Sequence, residues 1–169
     1  MAFLLCTGVI AAAAGCGSDH AAVPAEFCKV PVSQAALTPL VPQGGSVKQT
    51  YTAWDGRPGA VCALGADGHK VLYVATVRWD RAPDPVDWKA VASRFKYAAG
   101  RDVSFPGHAV IGSNGAVVQA TCASRAGYVS FDVDFSGARV ENSPGGYRKL
   151  QRFLNDFVPR ETKKFDCTH

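Results

Sequence analysis

Val129, Phe131, Val133 and Phe135 alternate with polar neighbours in YVSFDVDFSG, the period-two pattern of a strand with one buried face. In KVLYVATVRW the residues from Val71 to Trp79 are apolar on both faces, which predicts a central strand. SVKQTYTAW, AVCAL, HAVIG and AVVQATCAS are further strand-like runs. Asp55-Gly56, Asp67-Gly68 and Ser113-Asn114-Gly115 punctuate them, and Asp-Gly between such runs is a hairpin signal.

A period near 3.6 governs other stretches. In VDWKAVASRFKYA, Trp88, Val91, Ala92 and Phe95 share one helical face, Lys89, Arg94 and Lys96 lie on the others, and Asp87 or Asp84 is the expected N-cap. In GGYRKLQRFLNDFV, Tyr147, Leu150, Phe153, Leu154 and Phe157 line one face, and Pro159 is expected to end the helix. Ser33 to Leu40 predicts a short helix capped by Ser33 and ended by Pro39. Each half of the chain thus runs strand, turn, longer strand, amphipathic helix, and a diverged duplication into two βα-type halves is one explanation. The predicted fold class is α+β, an antiparallel sheet with helices packed on one face.

Composition adds size and charge. The chain has 169 residues, 47% of them hydrophobic and 10% aromatic, enough to bury one core. The net charge of +4 is spread thinly, and every charged residue follows Cys16. A scattered, mildly basic balance suits contact with an anionic envelope surface but not nucleic acid, for which no recognition motif is present.

The opening residues stand apart. Phe3 to Ala14, FLLCTGVIAAAA, form an apolar run that as a helix covers about 18 Å, short of a hydrocarbon core of roughly 30 Å. This predicts the apolar region of a signal peptide, although no Lys or Arg precedes Phe3, which suggests a translation start further upstream. Ala-Ala-Gly-Cys at 13–16 resembles the lipobox of bacterial lipoproteins. The resemblance implies a signal peptide over residues 1–15 and a diacylglyceryl thioether of the palmitate type on Cys16. It also implies a tether over residues 16–26 and an extracytoplasmic domain over residues 27–169, held at the outer face of the cell membrane. Two acyl chains make a stable anchor. Together with the FCKVP and GAVCAL cysteines, the lipobox is similar to that of small secreted actinobacterial lipoproteins, from which no functional residue carries over.

With Cys6 in the leader and Cys16 lipidated, Cys28, Cys62, Cys122 and Cys167 remain. Four cysteines in an exported chain suggest two disulfides. Cys28–Cys62 with Cys122–Cys167 is preferred, because each bond staples one half. Cys28–Cys167 with Cys62–Cys122 is the rival. A four-thiolate zinc site lacks any CxxC pair, so no metal and no cofactor are expected.

Asp132 and Asp134 are the weak catalytic candidates. At positions i and i+2 of a strand their carboxylates face the same way about 6–7 Å apart, a spacing usable for glycosidic acid–base chemistry or a divalent metal. SFDVDFS resembles the DxD of sugar-transferring enzymes and part of a glycosidase DxxDxDxE run, but Ser136-Gly137 follows where the last glutamate would stand. The plainer reading is that both aspartates keep one sheet face wet. Tyr51, Trp54 and Trp79 are the candidate ligand-binding residues, an aromatic shelf for sugar rings. Plugging the core and the strand ends is their alternative use. His20, His69, His108 and His169 fall in tether, turn, loop and terminus, and no GxSxG, SxxK, HExxH or phosphate-cradling glycine loop occurs. Arg148 and Arg152 form a basic ridge one turn apart. The expectation is a membrane-anchored, non-catalytic envelope protein that binds an envelope protein or polymer. The alternatives are a small glycan or peptidoglycan hydrolase using Asp132 and Asp134, and an enzyme inhibitor or immunity protein presenting Trp54 to Pro58.

Overall fold

The computed structural model describes residues 23–81, 84–123, 127–137 and 139–167. The leader, Cys6, Cys16, His20 and His169 lie outside the described residues.

A small hairpin comes first. β1 (Glu26–Phe27) and β2 (Val30–Pro31) pair around Cys28 and Lys29, whose φ values of 55° and 61° form a tight reversal. α1 (Gln34–Leu37) and a 3-10 turn over Thr38–Leu40 follow, burying Ala36, Leu37 and Leu40. Ser33 sits at the N-cap position but makes no side-chain cap. Its N–H instead donates to Asp156 Oδ2 of the last helix at 2.9 Å.

The main sheet has seven strands, all neighbours antiparallel: β3 (Val47–Ala53), β4 (Gly59–Ala66), β5 (His69–Trp79), β6 (Ala99–Gly100), β7 (Gly107–Ile111), β8 (Gly115–Thr121) and β9 (Tyr128–Phe135). Their order is β3-β4-β5-β9-β8-β7-β6. Two meanders, β3–β5 and β7–β9, therefore meet along the β5–β9 seam, which gives the two halves of the chain a matching strand layout. The Asp67-Gly68 turn has φ of 51° and 79°, both positive as a two-residue hairpin with strand-matched twist requires. β5 is central, with Leu72, Val74, Thr76 and Arg78 on its buried face.

α3 (Tyr147–Lys163) covers that face. Phe153 and Phe157 stack at 5.1 Å, and Phe27 meets them at 5.9 and 5.6 Å. Phe131 of β9 meets Phe157 at 6.1 Å. The helix runs through Pro159 rather than ending there. A proline cannot donate to the carbonyl four residues back, and the carbonyl so released, that of Asn155, accepts from Ser104 Oγ at 3.4 Å. Buried side chains on both sides of Pro159, Val158 and Glu161 among them, keep the helix in place beyond it.

Two disulfides tie the outer segments to the core, Cys28–Cys62 and Cys122–Cys167. The first fastens the β1–β2 hairpin to β4, and the second fastens the end of β8 to the chain beyond α3. Each staples one half, as the preferred pairing has it, and their thiolates are therefore not available to zinc.

α2 (Trp88–Ala92) departs from the pattern. Asp87 caps it, accepting from Lys89 and Ala90 N–H at 3.0 Å, whereas Asp84 pairs with Arg81. The predicted helix stops five residues in because the chain beyond is captured by the β7–β8 turn. Lys96 N–H donates to Asn114 Oδ1 at 2.7 Å, and Ser113 N–H donates to Lys96 O at 2.9 Å. Phe95 lies so close to Gly115 that a Cβ there would stand 2.3 Å from the ring. α1 and α3, which carry the apolar core, lie on one face. α2 buries no residue and lies against the edge strands β6 and β7, with Trp88 beside His108. The helices that follow the two meanders are thus not equivalent.

Candidate functional site

Where β6 ends, a cleft begins. β6 pairs with Val110 and Ile111, and Arg101 N–H adds a bond to Ala109 O at 3.0 Å. The chain then leaves β7 through residues 102–106, drawn toward α3 by three contacts. Gln151 Nε2 donates to Asp102 O at 2.7 Å, Asn155 Oδ1 accepts from Ser104 N–H at 3.0 Å, and the Asn155 carbonyl takes the Ser104 hydroxyl. α2 stands on the other side. Between them lies an open cleft of about 700 Å³, with Trp88, Lys89, Arg101, Phe105, His108 and Val110 among its walls.

Each wall has a distinct chemistry. The Trp88 ring lies 5.8 Å from the exposed His108 ring and offers a flat apolar surface. Phe105 and Val110 are buried and make the site apolar at depth. Lys89 is exposed. The Arg101 guanidinium lies 3.7 Å over the Tyr147 ring, and its Nε is buried without a hydrogen-bond partner among the described residues. Among the described residues, Asp102 is the one carboxylate lining the cleft. Arg148 and Arg152, the ridge on α3, are exposed beside Tyr147 and Gln151, the two residues that touch Arg101 and Asp102. Among the described residues, the cleft is therefore lined by two cations, Lys89 and Arg101, and one acid, Asp102, while Arg148 and Arg152 line a separate hollow on α3.

The residues singled out by sequence are placed elsewhere. Asp132 and Asp134 do share the sheet face opposite α3, with Asp132 flanked by Ala75 and Val117 and Asp134 by Tyr73 and Gly115. Arg94 grips both oxygens of Asp132, at 3.0 and 3.3 Å, while Asp134 is exposed. Neither lines the cleft. Trp79 is on that same face, stacked on Tyr128 at 6.0 Å and donating to Ser130 Oγ at 2.9 Å. Trp54 donates to Thr76 O at 2.9 Å, with Arg57 4.6 Å from its ring. Tyr51 is directed to the face that carries α3, where Lys29 Nζ lies 4.1 Å from its ring, so the three aromatic rings do not form one shelf. His69 is exposed beside Lys48 and Lys70 in a smaller hollow over β3–β5.

Sequence reasoning assigned Trp88 to a buried helical face and left Lys89, Arg101 and Phe105 without a role. The usable signal was RDVSFPGH, a stretch with charged, aromatic and turn residues interleaved between a helical pattern and the strand-like run HAVIG. Among the described residues, no three His, Cys, Asp or Glu side chains gather as a metal site requires. Compared with known proteins, the chain matches no family model, no curated sequence and no solved structure.

Proposed function

We propose that this protein is a lipoprotein of the cell envelope, anchored through diacylglyceryl Cys16, whose domain binds a ligand without transforming it. The two disulfides support an oxidising, extracytoplasmic setting, where such bonds persist. The observation that carries the binding reading is the cleft beside α2. Its volume lies in the range of small-molecule sites, about 300–1,000 Å³. Its apolar depth beneath Lys89 and Arg101 suits an amphipathic anion, with hydrocarbon or a flat ring against Trp88 and Phe105 and a phosphate or carboxylate at the cations. The ion pair between Asp132 and Arg94 weighs against the hydrolase alternative, because it occupies one of the two carboxylates that chemistry needs.

The reading is tested by titrating the full chain with dodecyl phosphate, dodecanol and dodecylammonium, each below its micelle concentration. The phosphate is expected to bind at least tenfold more tightly than the other two; Arg101→Gln is expected to remove that preference, and Trp88→Ala to weaken all three ligands alike. Equal affinity for the three heads would sink the proposal. The anchor is tested by the intact mass of the membrane-derived protein, expected to begin at Cys16 and to carry diacylglycerol.

A further inference from the structure

The two edges of the main sheet are unlike. At one, β6 is two residues long, and the chain between it and β7 turns away toward α3 through residues 102–106. At the other, β3 is seven residues long, has no proline, pairs with β4 in unbroken register, and is exposed from Lys48 onward. Natural proteins shorten, bulge, cover or charge such edges, because an open one invites another strand.

The direction of the free peptide groups follows from two bonds. Trp54 N–H donates to Gly59 O, and Asp67 N–H donates to Ser46 O, both at 3.1 Å. Antiparallel pairing alternates, so the even-numbered residues Lys48, Thr50 and Thr52 turn their peptide groups toward β4. Val47, Gln49, Tyr51 and Ala53 turn theirs outward, and among the described residues nothing bonds to them. Four donor–acceptor pairs therefore stand open along an edge of roughly 24 Å.

Charge selects the occupant. On the face toward α3, Tyr51 is flanked by Lys29 Nζ at 4.1 Å and Lys164 Nζ at 5.9 Å from its ring. On the other face Lys48 projects from the strand itself, with Lys70 in the hollow beside it. Asp55 and Asp67 lie in the turns at either end, Asp67 engaged by Ser46 N–H at 2.9 Å, Glu161 is buried against Lys164, and the exposed Glu26 stands in the same hairpin as Lys29. Self-pairing of two β3 strands about Thr50 would place Tyr51 of one copy opposite Gln49 of the other and bring the Lys29 side chains of both copies toward each other. Within about a Debye length of 8 Å such like charges repel.

We infer that β3 is a docking edge for an extended, acidic segment of a partner protein, added as an eighth antiparallel strand. Main-chain bonds to Val47, Gln49, Tyr51 and Ala53 supply the affinity, and alternate carboxylates reach Lys29 on one face or Lys48 on the other. This surface is separate from the cleft, and neither reading depends on the other.

The test uses the full chain and two capped nine-residue peptides that alternate valine or threonine with either glutamate or lysine, with amide exchange read by NMR. The glutamate peptide is expected to slow exchange at Val47, Gln49, Tyr51 and Ala53 while leaving Lys48, Thr50 and Thr52 unchanged. Gln49→Pro removes one outward donor without breaking a bond to β4 and is expected to weaken binding at least tenfold. If that variant fails to fold, the paired change Lys29→Glu and Lys48→Glu decides the matter, because it should transfer preference to the lysine peptide. Absence of protection with either peptide, or equal binding of both, overturns the inference. Concentration-dependent protection of the same four amides without peptide would make the partner a second copy and overturn it as well.

Discussion

Glu161 is the residue whose charge state the fold constrains most. Its side chain is fully buried on α3, with Lys164 Nζ 2.7 Å from Oε2 and no hydrogen-bond partner on Oε1 among the described residues. Burial pushes its pKa above the ordinary glutamate range, and the hydrogen bond and positive charge of Lys164 pull only partly the other way. A raised folded-state pKa means that the folded chain binds the proton more tightly than the unfolded one. The stability linked to this group is therefore complete below the unfolded pKa and is lost as pH rises through the folded one. Glu161→Gln is expected to remove that loss. The melting temperature of the variant minus that of the parent should then grow from mildly acidic to neutral pH, measured by thermal denaturation at several pH values. A difference that stays flat across the range would mean that Lys164 fully offsets the burial. The exposed Arg94–Asp132 pair is a contrasting case, since such surface bridges contribute about 0–1 kcal/mol.

At the scale of elements, α2 and α3 differ in what holds them. α3 buries Leu150, Phe153, Leu154, Phe157 and Val158, so packing sustains it even through Pro159. α2 buries nothing and depends on its cap and on the docking of Phe95 against Gly115. Asp87→Ala removes two capping bonds, a loss of about 1 kcal/mol. The expected result is faster amide exchange over residues 88–98 and weaker ligand binding in the cleft, with little change in melting temperature. A large fall in melting temperature with unaltered exchange in that segment would contradict this division of roles.

For the molecule as a whole, the disulfides hold the ends of the chain to the core. The Cys28–Cys62 bond spans 34 positions and Cys122–Cys167 spans 45, and loops of that size are worth about 4 kcal/mol each in the chain-entropy model. Replacing Cys122 and Cys167 with alanine is expected to lower unfolding stability by about 2–5 kcal/mol. The urea midpoint should fall accordingly. An unchanged midpoint would show that packing of Phe153 and Phe157 alone holds α3 on the sheet.

How much of this was legible in the sequence depends on the range of the interaction. The strands from β3 to β9, apart from the two-residue β6, could be read because period-two patterning and Asp-Gly or Asn-Gly turns are local properties of a few consecutive residues. The sequence offered two pairings of the four cysteines, and the tertiary structure selects Cys28–Cys62 with Cys122–Cys167. The placement of α2, the passage of α3 through Pro159 and the meeting of the meanders at β5–β9 were not readable. Each depends on a partner distant in the chain: Asn114 for Lys96, Ser104 for the Asn155 carbonyl, and β9 for β5. The cleft belongs to the second kind, as its walls come from residues 88–92 and 100–110, held apart by hydrogen bonds to Gln151 and Asn155 of α3. By itself the sequence determined the strands and their turns, because short-range sterics and patterning act within each segment. The tertiary structure alone decided where a cleft would open, because that required α3 to pull residues 102–106 away from β7.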